Sequence, residues 1–432
     1  MPVRQLLGRK VVVVEGSRTP FLRSQTAFAD LMAYQLGAIA VSGLLQKTGL
    51  DPALVDRLLM GTVIAEPRTS NLAREVALAA GLPETLPAYT VTAACTSANV
   101  AISSAVEAIA VGMADVVIAG GAEMLSDVPI RFSRPLRQRL IAAQKAKGPG
   151  DYVKLLGGLK PTDILPDTPA IAEFSTGLTM GQSAERLVKR TGVTREEQDA
   201  YALASHQRAA KATEAGLLEQ QITPALVPPT FQPITADNGV RGDSTLEKLA
   251  SLPPVFDRQF GTVTAGNSSF LTDGAAVVLL MSEERAQELG YEPLASIVGY
   301  AMVAGEPVEE LLSGPSVAIP QALDQVGIGL DQVGVVELHE AFAGQMVANL
   351  KLLADPAYAR ERLGRDRAMG EIDPAKLNAW GGSLSIGHPF GATGARLVTT
   401  AAQRMQHEDA EFGLVSACAA GALGHALVLQ RV

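Results

Sequence analysis

Apolar residues along the chain follow two spacings, and the spacings alternate. KVVVVEG at 10–16 is a β-branched run ending in glycine, which reads as a buried strand. Residues 32–48 have helical periodicity and end near Gly49. RLLMGTV at 57–63 reads as a second strand. Residues 95–112 leave a Cys-Thr-Ser turn and continue as ANVAISSAVEAIAVG, an amphipathic helix of small residues. ADVVIAGG at 114–121 is again a buried strand. Strands and helices in this order predict a mainly parallel sheet covered by helices.

From about 123 to 252 the texture changes. Proline, charge and irregular spacing rise and strand signals nearly vanish, although 195–215 (REEQDAYALASHQRAAKATEA) still reads as a helix. The α/β pattern resumes at 262–281. VGVVEL at 333–338 is a strand leading into His339. The loop GGSLSIGHPFGATGARLV, within 381–406, runs into a helix. FGLVSA at 412–417 is a strand ending at Cys418, and HALVLQRV closes the chain. Cys95 opens a small-residue helix in the first half and His388 opens one in the second. This order predicts two related α/β halves packed as a pseudo-dimer. The first is 1–122 with 253–282, the second is 283–432, and 123–252 is an inserted, mainly helical loop domain.

The chain has 432 residues, of which 47% are hydrophobic and only 4% aromatic, which suits tightly packed α/β layers. The 36 basic and 45 acidic residues give a net charge of −9, which argues against nucleic-acid binding. Two distant cysteines do not make a disulfide framework, so a reducing compartment is expected. No signal peptide or membrane-spanning window is read, and a cytoplasmic location, in solution or peripheral to the inner membrane, is the expectation. No Walker loop, metal-ligand pair or GxGxxG turn in its strand–helix context is present, so no metal is expected and nucleotide chemistry is disfavoured.

Four groups remain as candidates for chemistry. Cys95, in TVTAACTSANVAI, falls where a strand ends and a helix begins. Helix amides and the macrodipole there lower a thiol pKa, and the Cys95 amide suits an oxyanion hole. His388, in SIGHPFGATGAR, sits on a glycine-rich loop, with Pro389 suited to a first helical turn. It can accept a thiol proton near neutral pH. Cys418 and His339 lie at strand ends, where open α/β sheets bind ligands. Each alone is more often a packing or structural residue. His206 and His407 read as helix-face residues, and His425 is ambiguous.

The segments AACTSANVAI, GNSSFLTDGAA, HEAFAGQ, GGSLSIGHPFGATGAR and CAAGALG occur in the order of the thiolase signatures. The chain resembles the thiolase family over nearly its whole length. Within it, HEAF, EFSTGLTMGQSAE at 173–185 and the insert length are similar to the β subunit of bacterial trifunctional fatty-acid oxidation complexes. The resemblance implies a five-layer αβαβα fold of two βαβαβ-type halves, and a homodimer. It implies cleavage of 3-ketoacyl-CoA by CoA in β-oxidation, with CoA as co-substrate and no tightly bound cofactor. Cys95 would be the acyl-accepting nucleophile, His388 its base and Cys418 the second acid/base. The amides of Cys95 and Ala420 would form the oxyanion hole. His388, with a water held by His339, would stabilise the enolate oxygen. CoA would pass Ser269 and Met180. Three positions depart from common thiolase patterns. His339 stands where many have asparagine, Thr179 stands where some short-chain biosynthetic members have histidine, and Ala420 replaces a frequent glycine. The rival readings are a biosynthetic acetoacetyl-CoA thiolase, a ketoacyl-synthase-like condensing enzyme and a non-catalytic scaffold.

One segment stands apart from this chemistry. Residues 129–160 carry eight cations against Asp151 alone, a local charge of 8 − 1 = +7 in an acidic chain. Interleaved apolar residues make it a candidate surface for an anionic membrane, a hydratase/dehydrogenase partner subunit or the CoA phosphates.

Overall fold

A computed structural model describes residues 8–167 and 172–432. Nine strands carry the architecture: β1 (Val11–Arg18), β2 (Arg57–Gly61), β3 (Ala88–Val91), β4 (Val116–Glu123), β5 (Thr272–Ser282), β6 (Ala295–Ala304), β7 (Val333–Leu338), β8 (Phe412–Ala419) and β9 (Leu423–Gln430). They lie side by side in the order β7-β8-β9-β6-β1-β5-β4-β2-β3, and the two-residue strand Leu22–Arg23 pairs with β5.

The pairing pattern occurs twice. β1 is antiparallel to β5, β5 is antiparallel to β4, and β4 is parallel to β2. Likewise β6 is antiparallel to β9, β9 is antiparallel to β8, and β8 is parallel to β7. The two sets touch along β1 and β6 through only Val12–Ser296 and Val13–Ala295. The two related halves expected from sequence are therefore present. The expected mainly parallel sheet is not. Only β2–β3, β2–β4 and β7–β8 are parallel among these neighbours. β2–β3 and β7–β8 are each joined by a helical crossover, and β4 comes to lie beside β2 after the helix Ser97–Ala110. β8 and β9 are joined by the tight turn Ala420–Ala422, and so short a connection forces antiparallel pairing.

Side-chain alternation along the strands feeds two separate apolar layers. Val12 and Val14 face the helices Ala33–Thr48 and Leu72–Ala79. Val11 and Val13 face the opposite way, onto a middle layer of two helices, Ser97–Ala110 and Thr393–His407. In the second half Val335 and Val415 face that same middle layer. Val336 and Leu414 face the outer helices Gly314–Val326 and Ala343–Ala354. The result is helix, sheet, helix, sheet, helix. The middle helices are rich in small residues because they cross closely. A Cβ at Gly394 would lie 2.2 Å from Asn99 Oδ1, so a larger residue there would push the helices apart.

Several local signals act as their chemistry dictates. Gly49 ends the first helix in the left-handed conformation at φ 66°. Within 123–252 lie the helices Arg134–Ala143, Pro149–Leu156, Met180–Thr191, Arg195–Glu214 and Leu246–Ala250, with two small two-stranded sheets. Among the described residues, no helix is long and apolar enough to cross a membrane.

Candidate active site

Cys95 sits on a sharp bend between β3 and the helix that begins at Ser97, two residues later than the sequence suggested. Ala94 is left-handed at φ 48°, an uncommon conformation for a residue with a Cβ. The bend is tied by its own hydroxyls. Ser97 Oγ accepts from the Ala93 amide at 2.8 Å and donates to the Ala94 carbonyl at 2.6 Å. Thr96 Oγ1 donates to the Ala93 carbonyl at 2.7 Å.

His388 approaches from the other half. Gly387 precedes it at φ 117°, where a side chain would be strained. The His388 amide donates to Thr272 Oγ1 at 3.0 Å, and the Gly391 amide donates to Glu123 Oε2 at 2.8 Å. Both acceptors belong to the first half, so these bonds stitch the histidine loop across the pseudo-dimer. Pro389 lies ahead of the helix, which starts at Thr393, and not in its first turn as expected. Its carbonyl instead accepts from the Ala392 and Thr393 amides.

His339 follows directly on β7, with its amide donating to the Ser416 carbonyl at 2.8 Å. Its imidazole lies 3.9 Å from that of His388, centroid to centroid. Cys95, His339 and His388 bring one donor atom each to within 4.8 Å of one another. Both Nε2 atoms are buried without a protein partner, whereas both Nδ1 atoms are held by hydroxyls. This is the convergence that sequence could suggest only as separate strand ends. Sulfur and two imidazole nitrogens at this spacing could also ligate a soft cation, provided that the thiol ionised and both Nε2 atoms were bare.

The electrostatics correct one expectation. The bend was expected to depress the Cys95 thiol. Burial instead pushes it up to about 12, and the Glu123 carboxylate adds to the rise. The amides of Ala420 and of Cys95 itself point at the sulfur and pull the other way without prevailing. Desolvation outweighs the helix terminus because the sulfur lies among buried groups, although part of the residue remains accessible. Burial, aided by His339 and Arg396, holds His388 well below its usual range. The resting pair is therefore neutral thiol and neutral imidazole.

Cys418 ends the run of β8 just before a turn with Gly421 at φ 78° and Ala422 at φ 56°. Burial and the neighbouring Cys95 push its thiol above the usual range. It packs in an apolar cluster with Phe342 and Leu311, against which Met180 also rests. Ser269 is half-buried on the segment before β5, its amide donating to the Ala341 carbonyl at 3.0 Å.

Some residues at or near this site were not singled out from sequence. Glu123 accepts from Thr62 Oγ1 and from the amides of Val63, Ile64 and Gly391, joining both halves beneath Cys95. Burial pushes its carboxyl up to about 7 against those donors. An acid closing the apolar strand VVIAGGAE was the available signal. Glu340 accepts from Tyr201, Ser205 and Asn378, and so moors the helix Arg195–Glu214 beneath the His339 loop. A cleft of about 350 Å³ is lined by Arg23, His206, Arg241 and Lys248, with Ser268 and Phe270. The Arg23 guanidinium stacks on the Phe270 ring at 3.9 Å. His206, read from sequence as an ordinary helix-face residue, lines this cleft, and its Nδ1 accepts from the Arg241 amide at 3.2 Å. The cations come from distant parts of the chain, so no local motif displayed them.

The buried histidines carry a pH prediction. Burial lowers His206 to about 4 and His339 and His425 to about 3, and it holds His388 low as well. In the unfolded chain they would titrate near 6.5, so the unfolded state binds more protons below that pH. The histidines' contribution to stability is therefore complete above about pH 6.5 and is lost as pH falls toward these native values, by up to about 1.4 kcal/mol per pH unit for each histidine, outweighing the opposite and smaller effect of the raised Glu123 carboxyl. Urea unfolding at pH 7 and pH 5 checks this. An unchanged midpoint would rule out four neutral buried imidazoles.

A two-sheet fold with a cysteine, two histidines and a second cysteine at its centre is that of a thiolase, and the chain belongs to the thiolase family. The thiolase N-terminal domain profile matches residues 11–284 and the thiolase C-terminal domain profile matches residues 291–431. The chain is 46% identical over 430 residues to the 3-ketoacyl-CoA thiolase of Serratia proteamaculans, covering all of this chain and 99% of that one. It is 47% identical over 422 residues to the human mitochondrial trifunctional enzyme subunit beta, covering 98% of this chain and 88% of that one. Among solved structures, human mitochondrial 3-ketoacyl-CoA thiolase in complex with CoA superposes with a TM-score of 0.83 at 31% identity, with both chains fully covered. The acetyl-CoA acetyltransferase of Bacillus anthracis superposes with the same TM-score at 33% identity, covering 99% of this chain and all of that one.

Proposed function

We propose that this thiolase is a 3-ketoacyl-CoA thiolase, an acetyl-CoA C-acyltransferase of fatty-acid β-oxidation. The observation that carries this is the Cys95–His388–His339 convergence, with the Ala420 amide aimed at the sulfur. His388 Nε2 takes the Cys95 proton as the sulfur attacks the 3-keto carbon. Its Nδ1, 2.7 Å from Thr393 Oγ1, is the proton-bearing nitrogen in this role, and Thr393 passes a hydrogen bond on to the Pro389 carbonyl. The C2–C3 bond then breaks and leaves the acyl group on Cys95. The departing enolate of acetyl-CoA carries its charge on the thioester oxygen, near the two histidines. Cys418, whose raised pKa keeps it protonated, gives the enolate carbon its proton. The Cys418 thiolate then deprotonates the incoming CoA, CoA takes the acyl group, and His388 returns its proton to Cys95. The Cys95 and Ala420 amides hold the thioester oxyanion in this second step.

CoA is co-substrate, and no tightly bound cofactor is required. Its pantetheine would run past Ser269 and Met180, and the cleft lined by Arg23 and Arg241, with Lys248 paired to Asp243 at 2.9 Å, supplies positive charge for its phosphates. The test is CoA-dependent cleavage of 3-ketoacyl-CoAs from short to long. Cleavage of long chains is the expected result, and activity confined to acetoacetyl-CoA would replace this reading with a biosynthetic one. In this chain Thr179 caps the helix Met180–Thr191, accepting from the Gln182 amide at 3.2 Å.

Likeness to a trifunctional enzyme subunit beta supports work within a larger assembly; a homodimer, a hydratase/dehydrogenase α subunit and a cytoplasmic location are further parts of the proposal. Segment 129–160 supports contact with an anionic membrane surface. Arg137 lies 3.8 Å from Asp167, and Arg139 donates to the Leu155 and Gly157 carbonyls. The other six cations are exposed, beside exposed Ile130, Phe132, Ile141 and Val153. Co-sedimentation with phosphatidylserine vesicles is expected, and it should weaken when Arg131, Arg134, Lys145 and Lys147 are neutralised. Binding indifferent to those changes would reject membrane docking.

A further inference from the structure

The proton on His339 is decided by a residue outside the groups assigned above. His339 Nδ1 lies 3.0 Å from Ser383 Oγ. The same oxygen accepts a hydrogen bond from Arg396 Nη2 at 3.2 Å. All three residues are buried. A guanidinium only donates, and a serine hydroxyl has one proton to give. Among the described residues, His339 Nδ1 is the only acceptor paired with that hydroxyl. Were Nδ1 protonated, Ser383 would receive two hydrogen bonds and its own proton would be buried without a partner, which is the costly arrangement.

We infer that Ser383, oriented by Arg396, is a positioning residue that holds His339 as its Nε2–H tautomer, so that His339 donates a hydrogen bond at the site where His388 accepts a proton. The arrangement is anchored below. Arg396 Nη1 stands 3.5 Å from Glu337 Oε2, and Arg404 Nη1 stands 2.8 Å from Glu337 Oε1, all three side chains lying fully out of solvent. Glu337 is in β7, two residues before His339, and Arg396 is in the helix that follows the His388 loop. One ion cluster therefore references both imidazoles. The Arg396 charge also disfavours a proton on either ring, which leaves His339 a neutral donor that does not compete with His388 as base.

The catalytic consequence rests on the proposed thiolysis, whereas the tautomer does not. His339 Nε2–H is placed to donate toward the oxygen of the departing enolate, directly or through a water, at no cost in charge. The chain has five histidines, so long-range proton–nitrogen correlation spectra of the full-length protein are tractable, with His339→Gln identifying the signal. Protonated Nε2 and bare Nδ1 on His339 are expected in the wild type. In Ser383→Ala the ring should shift toward a mixture of tautomers, and kcat for thiolysis should fall about 10–100-fold with KM little changed. Ser383→Thr, which keeps the hydroxyl, should restore both. Protonated Nδ1 on His339 in the wild type would overturn the inference, as would an unchanged tautomer in Ser383→Ala. Wild-type protein that cleaves no 3-ketoacyl-CoA would overturn the proposed function, while the spectra would still decide the tautomer.

Discussion

Cys95→Ala is expected to abolish acyl transfer from any 3-ketoacyl-CoA, by roughly 10⁴-fold or more in kcat, the order lost when a nucleophile is removed from an intact site. The reason is geometric. The two unpartnered imidazole Nε2 atoms and the Ala420 amide converge on this sulfur, and among the described residues no other nucleophile is placed among them. His388 would still be neutral and ready to accept a proton, but nothing could carry the acyl group. Intact-mass measurement after mixing with 3-ketoacyl-CoA in the absence of CoA should show one acyl addition in the wild type and none in the variant. A normal acyl-enzyme burst in Cys95→Ala would remove the assignment. Because the resting thiol is protonated, slow alkylation by iodoacetamide at neutral pH is a further expected property of the wild type.

Cys418→Ser is expected to separate the two halves of the reaction. Acylation of Cys95 by a simple thioester needs only the nucleophile, its base and an oxyanion hole, so it should persist. Carbon–carbon cleavage needs a proton delivered to the enolate carbon, and a serine hydroxyl is a far weaker acid than a thiol. Thiolysis should fall by about 10²–10⁴-fold, the usual worth of general acid–base assistance. Transfer of radiolabelled acyl groups from simple thioesters, set beside 3-ketoacyl-CoA cleavage, checks this. Equal loss of both activities would deny Cys418 a distinct role. Its place in the apolar cluster with Phe342 and Leu311 explains why its proton is retained until a strong carbon base arrives.

Much of the framework was legible in the sequence because it depends on neighbours along the chain. The run VVVV at 11–14 must be a strand buried on both faces, and alternate valines do face two different helix layers. Gly49 ended a helix where periodicity ran out. The site cysteines and histidines stood out because reactive side chains in small-residue turns at strand ends are rare in combination. The expectation of a mainly parallel sheet failed for a reason that lies in the connections. A tight turn at 420–422 reverses the chain, and runs of apolar residues look alike in parallel and antiparallel neighbours.

What the sequence by itself determined was the inventory: strands, helices, two similar halves, and Cys95, His339, His388 and Cys418 at the ends of elements. Only the tertiary structure decided how those groups behave. The bend at Cys95 predicted a depressed thiol, but burial and Glu123 raise it, because desolvation depends on everything packed around an atom and not on its own segment. Glu123 joins Gly391 across 268 residues of chain, and Ser383 and Arg396 reach His339 from another loop and helix. The cations of the Arg23–Arg241–Lys248 cleft likewise meet only on folding. Local pattern encodes what a segment can become. The protonation of a buried group and the charge of a cleft are sums over contacts between segments, and those sums exist only once the two halves have closed on each other.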